Sequence, residues 1–247
     1  MVRTEYKFSF TEIEIPQKTT AIIVAAGNAS RMDGIDKQLT PILGIPVIER
    51  SVKAFQEAAV IDSIVLVVRE DKISEFQNLL SDKYSKITDI IAGGSSRAES
   101  VKHGIEVCDR DTGIVLIHDG ARPLVTDEII TDVKNAAELY GAAACAVPLK
   151  DTVKKIDLSG RIVETPRRSS LVSVQTPQGF RMDIYKKALQ SVDTLSDEIT
   201  DDCSLIELSG NQVYTVEGSY DNIKITTPID ITLAEAIIKR REEEKCE

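Results

Sequence analysis

Residues 20–38 read TAIIVAAGNASRMDGIDKQ. An unbroken apolar run ends in three small residues, and a polar loop carrying Arg31 and Lys37 follows. Apolar runs without polar alternation suit strands that helices cover on both faces, as in a parallel sheet. Four further runs share this character: SIVLVV (63–68), ITDIIA (87–92), GIVLIH (113–118) and GAAACAVPL (141–149). Helix-period segments at 46–58, 71–82, 96–107 and 126–140 separate them. Ser96 and Glu99 form a capping box at the start of the third. The alternation predicts βαβ units, right-handed crossovers and an α/β, doubly wound, mostly parallel sheet. A ligand is then expected beyond the carboxyl ends of the strands.

The pattern changes after Asp151. TVKKIDLSGRIVET (152–165) reads as two short polar strands around a turn, a hairpin too polar for the core and better suited to a protruding arm, about 148–172. A strand (171–176), helices at about 181–192 and 201–208, a strand (212–217) and a last helix opened by Thr227 and Pro228 complete the chain. Residues 1–18 alternate at Tyr6, Phe8 and Phe10, and are read as an N-terminal extension able to add an edge strand. The expected organisation is that extension and one domain, 19–247.

With 247 residues, the chain can bury roughly 70–75% of its unfolded surface. It needs no disulfide or metal for stability. Its four cysteines, Cys108, Cys145, Cys203 and Cys246, show no paired spacing, which excludes a zinc ribbon and suits a reducing compartment. The N-terminus has no apolar core of signal-peptide length, and no run approaches a membrane span. A cytoplasmic protein is expected. The net charge of −10 and the absence of tryptophan argue against nucleic-acid and membrane partners, unless the cations are concentrated in one place.

The loop after the first strand has one glycine, Gly27, where a dinucleotide fingerprint needs three. No GK[ST] of a Walker loop occurs. The small residues Ala25, Ala26 and Gly27 allow a base or phosphate close to the backbone, and Arg31 and Lys37 can reach a polyphosphate. The third strand ends in AGGSSRAES, where Gly94 again permits close approach and Ser95 and Ser100 offer hydroxyls. The fourth ends in HDGARP. Asp119 there could hold Mg²⁺ or a sugar hydroxyl, and Arg122 could clamp a phosphate. His118 is read as a packed core imidazole, since no nucleophile stands with it. Arg168, Thr176 and Lys224 follow in RRSSLVSVQTPQGF and SYDNIKITTP.

The ordered motifs VAAGNASRM, KQ, GGSSRAESV, HDGARP, KDTVK, VQTPQGF and GSYDNIKITTPIDITLAE, spread over about residues 20–240, resemble those of the 2-C-methyl-D-erythritol 4-phosphate cytidylyltransferases. The resemblance implies a Rossmann-like nucleotidyltransferase fold. It also implies joining of the sugar-alcohol phosphate to CTP with release of pyrophosphate, in non-mevalonate isoprenoid synthesis. Arg31, Lys37 and Lys224 would be catalytic, and Ala25, Ala26, Gly27, Gly94, Ser95, Ser100 and Asp119 would surround CTP. Asp119, Arg122, Thr152, Arg168, Thr176 and Lys224 would bind the second substrate. The cofactor would be Mg²⁺, held mainly by the triphosphate with Asp119 as a further candidate ligand. The family resemblance further implies a homodimer whose arm lends Thr152 and Arg168 to the neighbouring site. Val24 stands where proline is common, Ala29 and Ser30 replace a glycine and a basic residue, and Ser95 replaces a frequent aspartate. The competing readings are a ribitol 5-phosphate cytidylyltransferase, which shares this layout, and a non-catalytic CTP-binding regulator.

Overall fold

The computed structural model describes residues 17–27, 36–191 and 199–244. Arg31, Ala29, Ser30, Cys246 and all of the N-terminal extension except its last two residues lie outside them. Among the described residues, seven strands form the central sheet: β1 (Lys18–Val24), β4 (Ser63–Val68), β5 (Ile87–Ala92), β6 (Thr112–Asp119), β7 (Ala142–Pro148), β10 (Val172–Arg181) and β11 (Tyr214–Glu217). Their order is β11-β7-β10-β6-β1-β4-β5. All neighbours are parallel except β10, which runs antiparallel between β6 and β7. The unalternated runs behave as their composition requires: every residue of β4 and β6 is buried.

Successive residues of one strand feed opposite layers. Ala21 and Ile23 pack with helices α1 (Val47–Glu57), α2 (Ile73–Leu80) and α4 (Asp127–Tyr140), through Phe55, Phe76 and Val133. Ile22 packs the other way, with α3 (Arg97–Val107), α5 (Met182–Ser191) and α6 (Asp202–Leu208), through Val101, Tyr185 and Ile206. The sheet is thus covered on both faces, as a doubly wound fold must be. Burying one such isoleucine side chain stabilises the fold by roughly 1.5–3 kcal/mol. A third cluster joins α7 (Pro228–Glu244) to a small hairpin, β2 (Pro41–Ile42) and β3 (Ile45–Pro46), that precedes α1. Its two-residue turn has positive φ at both Leu43 (47°) and Gly44 (79°), the geometry that matches strand twist.

One element differs from expectation. The strand expected over 171–176 continues to Arg181 and runs through Pro177. Pairing with β7 lapses between Val174 and Gln178, because proline has no N–H to give and the interrupted segment turns aside. Thr176 thereby reaches β6, where its Oγ accepts the Asp119 N–H at 3.0 Å. The hairpin arm is present as β8 (Lys155–Ile156) and β9 (Ile162–Glu164), fully exposed.

Candidate active site

The carboxyl ends of β1, β4, β5 and β6 open into a cavity of about 490 Å³. Val24, Ala26 and Gly27 line it after β1, Arg69–Asp71 after β4, Gly93–Arg97 with Ser100 after β5, and Asp119 with Ala121 after β6. Lys37, Gln38 and Lys224 complete the wall.

The loop after β5 is drawn in by the Ser100 hydroxyl. Ser100 Oγ accepts the Gly94 N–H at 3.0 Å and donates to the Ser96 carbonyl at 2.8 Å. A Cβ on Gly93 would collide with the Ala26 methyl and Ser100 Oγ, so only glycine lets the β1 and β5 loops meet. The expected capping box is half formed. Ser96 Oγ takes the Glu99 N–H at 3.1 Å, but the Glu99 carboxylate reaches one residue further back. It accepts both the N–H and the hydroxyl of Ser95, each at 2.6 Å. Those bonds hold the Glu99 carboxyl below its ordinary pKa. Serine at 95 therefore matches glutamate at 99; an aspartate at 95 would face that carboxylate with like charge.

Asp119 closes β6 and is the electrostatic centre. Lys224 Nζ lies 2.7 Å from its carboxylate, Arg97 Nε 3.4 Å and Arg122 Nε 3.9 Å. Burial alone would raise its pKa, but Arg97, Lys224 and Arg122 outweigh that and hold it well below the usual carboxylate range. Arg97 also donates to Asp202 at 2.7 Å. Burial opposes its charge, while Asp202 and Asp119 more than restore it. Asp202 is buried and accepts Tyr185 Oη–H at 2.7 Å, so α5 and α6 hold Arg97 from behind.

His118 is a packed core imidazole, as expected. Its Nε2 faces the Arg122 carbonyl at 3.1 Å, which can only accept, so Nε2 carries the proton. Nδ1 then accepts from the Thr176 hydroxyl at 3.2 Å. Burial lowers its pKa to about 4. It is not a general base for this cavity.

Of the residues singled out in the sequence, the fold brings Ala26, Gly27, Lys37, Gly94, Ser95, Ser100, Asp119 and Lys224 to one cavity. Ala25 is not among them: its N–H donates to the Val67 carbonyl at 2.7 Å and its methyl is buried in the core. Arg122 and Thr176 lie behind the wall. Arg122 Nη1 donates to the Asn222 carbonyl at 2.7 Å. Asn222 Nδ2 donates to the Thr176 carbonyl at 2.9 Å. The Ile225 N–H bonds the Ala121 carbonyl at 2.8 Å, which fixes the segment bearing Lys224. Thr152 and Arg168 stand exposed on the arm, outside their own cavity, where Arg168 Nη1 donates to the Lys150 carbonyl at 2.8 Å. Asp119, committed to three cations, is a poor metal ligand.

Three groups on the wall had escaped the sequence reading. Arg97 sits inside GGSSRAES, and its position as the first residue of a capped helix, just after two glycines, is a usable signal. Arg69 and Asp71, paired by Nε to Oδ1 at 2.9 Å, directly follow a buried strand. Gln38 had only its place beside Lys37.

Comparison with known proteins gives a consistent result. The family model of 2-C-methyl-D-erythritol 4-phosphate cytidylyltransferase (IspD) matches residues 19–240. A protein of that description from Clostridium novyi is 45% identical over 229 residues, 90% of this chain and 97% of that one. Another from Dehalococcoides mccartyi is 43% identical over 226 residues, 91% of this chain and 97% of its own. Among solved structures, 4-diphosphocytidyl-2C-methyl-D-erythritol synthase of Anaerococcus prevotii superposes with a TM-score of 0.79 at 32% identity, covering 90% of this chain and 96% of that one. The cytidylyltransferase of Thermus thermophilus superposes at 0.71 with 27% identity, covering 90% and 99%.

Proposed function

Because the chain belongs to the 2-C-methyl-D-erythritol 4-phosphate cytidylyltransferase family, we propose how its cavity divides between two anionic substrates. The enzyme transfers CMP from CTP to 2-C-methyl-D-erythritol 4-phosphate. It releases pyrophosphate and yields 4-diphosphocytidyl-2-C-methyl-D-erythritol for isoprenoid biosynthesis. The cytidine lies against the Ala26–Gly27 and Gly94–Ser100 backbone. The triphosphate faces Lys37 and Arg31, and the sugar-alcohol phosphate faces Lys224 and Asp119.

The observation that carries this division is Lys224, held 2.7 Å from buried Asp119 and still 38% exposed to the cavity. The phosphate monoester is ionised at neutral pH, so its oxygen attacks the α-phosphorus without a general base. One P–O bond forms, the bond to the β-phosphate bridge breaks, and pyrophosphate leaves with the electron pair. Catalysis then rests on in-line placement and neutralisation of charge. Lys37 and Arg31 serve the leaving side, and Lys224 serves the attacking side. Mg²⁺ carried by the triphosphate supplies further charge neutralisation when bound.

Thr152 and Arg168 act in this reading from a second copy of the chain, in a homodimer made through the arm. Exposed Ile156, Leu158 and Ile162 on the arm support that arrangement. The reading also places the enzyme in the reducing cytoplasm, in keeping with the free thiols of Cys108, Cys145 and Cys203; no helix among the described residues is long and apolar enough to cross a membrane.

Pyrophosphate release tests the substrate assignment directly, with CTP and Mg²⁺ beside ATP, GTP and UTP. Rapid release is expected only with CTP and 2-C-methyl-D-erythritol 4-phosphate. Release with ribitol 5-phosphate alone would keep the mechanism and replace the substrate. Binding of CTP without release in any combination would favour a regulator.

A further inference from the structure

The arm leaves the domain where β7 ends at Pro148 and returns where β10 begins at Val172, and these two residues pair across its root. Among the described residues, the side-chain hydrogen bonds made by residues 149–171 stay inside the arm. Lys154 Nζ donates to Thr165 Oγ1 at 2.7 Å, Asp157 accepts Ser159 and Arg161, and Arg168 Nη1 donates to the Lys150 carbonyl. One side chain of the domain reaches across to the root. Tyr220 Oη donates to the Pro148 carbonyl at 2.7 Å, and Lys150 Nζ stands 3.8 Å over the centre of the Tyr220 ring. Lys150 thus meets Tyr220 with its ammonium and Arg168 with its carbonyl. Tyr220 is fixed from the domain side. The Gly218 N–H donates to the Ala146 carbonyl at 2.8 Å, and Gln175 Nε2 to the Ser219 carbonyl at 2.9 Å. The Asp221 carboxylate takes Arg240 and Arg241 from α7.

We propose that Tyr220 is a positioning residue: its clamp on Pro148 and Lys150 sets how the arm leaves the domain, and so places Arg168 against the sugar-alcohol phosphate in the neighbouring subunit's site. The inference rests on the homodimer reading given above. An arm held only at its root acts as a lever, and a small swing there moves its functional groups by more. Catalysis that depends on placement loses rate steeply with an error of about 1 Å. The hydrogen bond and the ammonium–ring contact together favour one setting of the root by about tenfold. In this reading CTP is held by residues of the cavity's own chain, so the clamp serves the second substrate and not the nucleotide.

Tyr220→Ala removes both contacts, and Tyr220→Phe keeps the ring beneath Lys150. The measurement is steady-state pyrophosphate release with each substrate varied in turn. Tyr220→Ala should raise KM for 2-C-methyl-D-erythritol 4-phosphate about tenfold and leave KM for CTP within about twofold, with Tyr220→Phe between it and the wild type. A merely structural role would lower kcat, leave both KM values unchanged and overturn the proposal. Mixed dimers then show which site the clamp serves. In a dimer of one Tyr220→Ala chain and one Lys224→Ala chain, the site with an intact Lys224 receives the unaltered arm of its neighbour. Its KM for the polyol phosphate should return to the wild-type value. The control pairs Arg168→Ala with Lys224→Ala and should likewise be restored. Restoration of the control but not of the Tyr220→Ala pair would mean that Tyr220 acts on its own chain's site, and would overturn the proposal. An Arg168→Ala dimer with wild-type kinetics, or one that the mixed dimer does not restore, would overturn the lending of the arm itself, and the proposal with it.

Discussion

Lys224 Nζ and Asp119 Oδ2 are 2.7 Å apart, but the carboxylate is shared with Arg97 and Arg122. One negative charge divided among three cations leaves a net positive site, and Lys224 is the member most open to the cavity. The pairing holds the ammonium in place before substrate arrives, so little reorganisation accompanies the reaction. Lys37 stands on the same wall, in the turn that Asp36 stabilises through Leu39 and Thr40. Losing one preorganised donor of this kind costs roughly 10²–10³ in turnover. Lys37→Ala and Lys224→Ala should each show such a loss under saturating substrates. Loss below threefold at both would remove them from the chemistry. Serine at 95 and glutamate at 99 carry a related lesson: the hydroxyl that looked available to a ribose donates to the neighbouring carboxylate, and the Ser95 N–H does the same.

At the scale of elements, the buried strands β1, β4 and β6 and helices α1, α3 and α4 were legible because each is a local pattern. TAIIVA and SIVLVV lack alternation, and Thr126 and Ser96 cap the helices they precede. β10 was legible only in its first half, since Pro177 is a local signal for an end while the cause of continuation is pairing with β6 and β7. The Arg97–Asp202 pair, 105 residues apart in sequence, leaves no local trace at all. Ala25 and Ala26 look alike in sequence, yet one faces the core and the other the cavity, a distinction set by strand register. The arm raises the remaining question at this scale. Its side chains are exposed by far more than a lone hairpin should tolerate: Leu158 is fully exposed and Ile156 and Ile162 more than half so. A two-stranded hairpin is marginal on its own, and the homodimer proposed above would cover it. Leu158→Asp, placed beyond the cavity of its own chain, should shift the protein to a monomer in sedimentation. It should also lower activity in proportion, if Thr152 and Arg168 serve the partner's site. A monomer with full activity would detach the arm from catalysis.

The whole molecule is acidic, with a net charge of −10, while its cavity gathers Lys37, Arg69, Arg97 and Lys224 against Glu70, Asp71 and Asp119 among the described residues. Approaching the sequence pI near 4.9 from neutral pH removes negative charge and relieves general repulsion, which by itself favours the folded state. Acid sensitivity must then come from buried groups. His118 is fully buried, its two nitrogens assigned by the Arg122 carbonyl and the Thr176 hydroxyl, and its ring lies 4.8 Å from that of Phe55. Its pKa falls from 6.5 to about 4 on folding, chiefly through burial. Between those values the unfolded chain takes up the proton and the folded chain does not. The stabilisation is therefore complete above about pH 6.5 and declines as pH falls towards 4, by on the order of 3 kcal/mol. Asp119, held low by Arg97, Lys224 and Arg122 despite its burial, adds a second loss only at more acidic pH. Urea unfolding of the wild-type protein should thus show stability falling between pH 6.5 and 5, the direction opposite to that of charge relief. His118→Gln will be less stable at every pH, so the slope is the useful quantity, and it should flatten in that window. An unchanged slope would mean that the imidazole takes up its proton inside the fold as readily as in the unfolded chain, and that Nδ1 does not accept from the Thr176 hydroxyl.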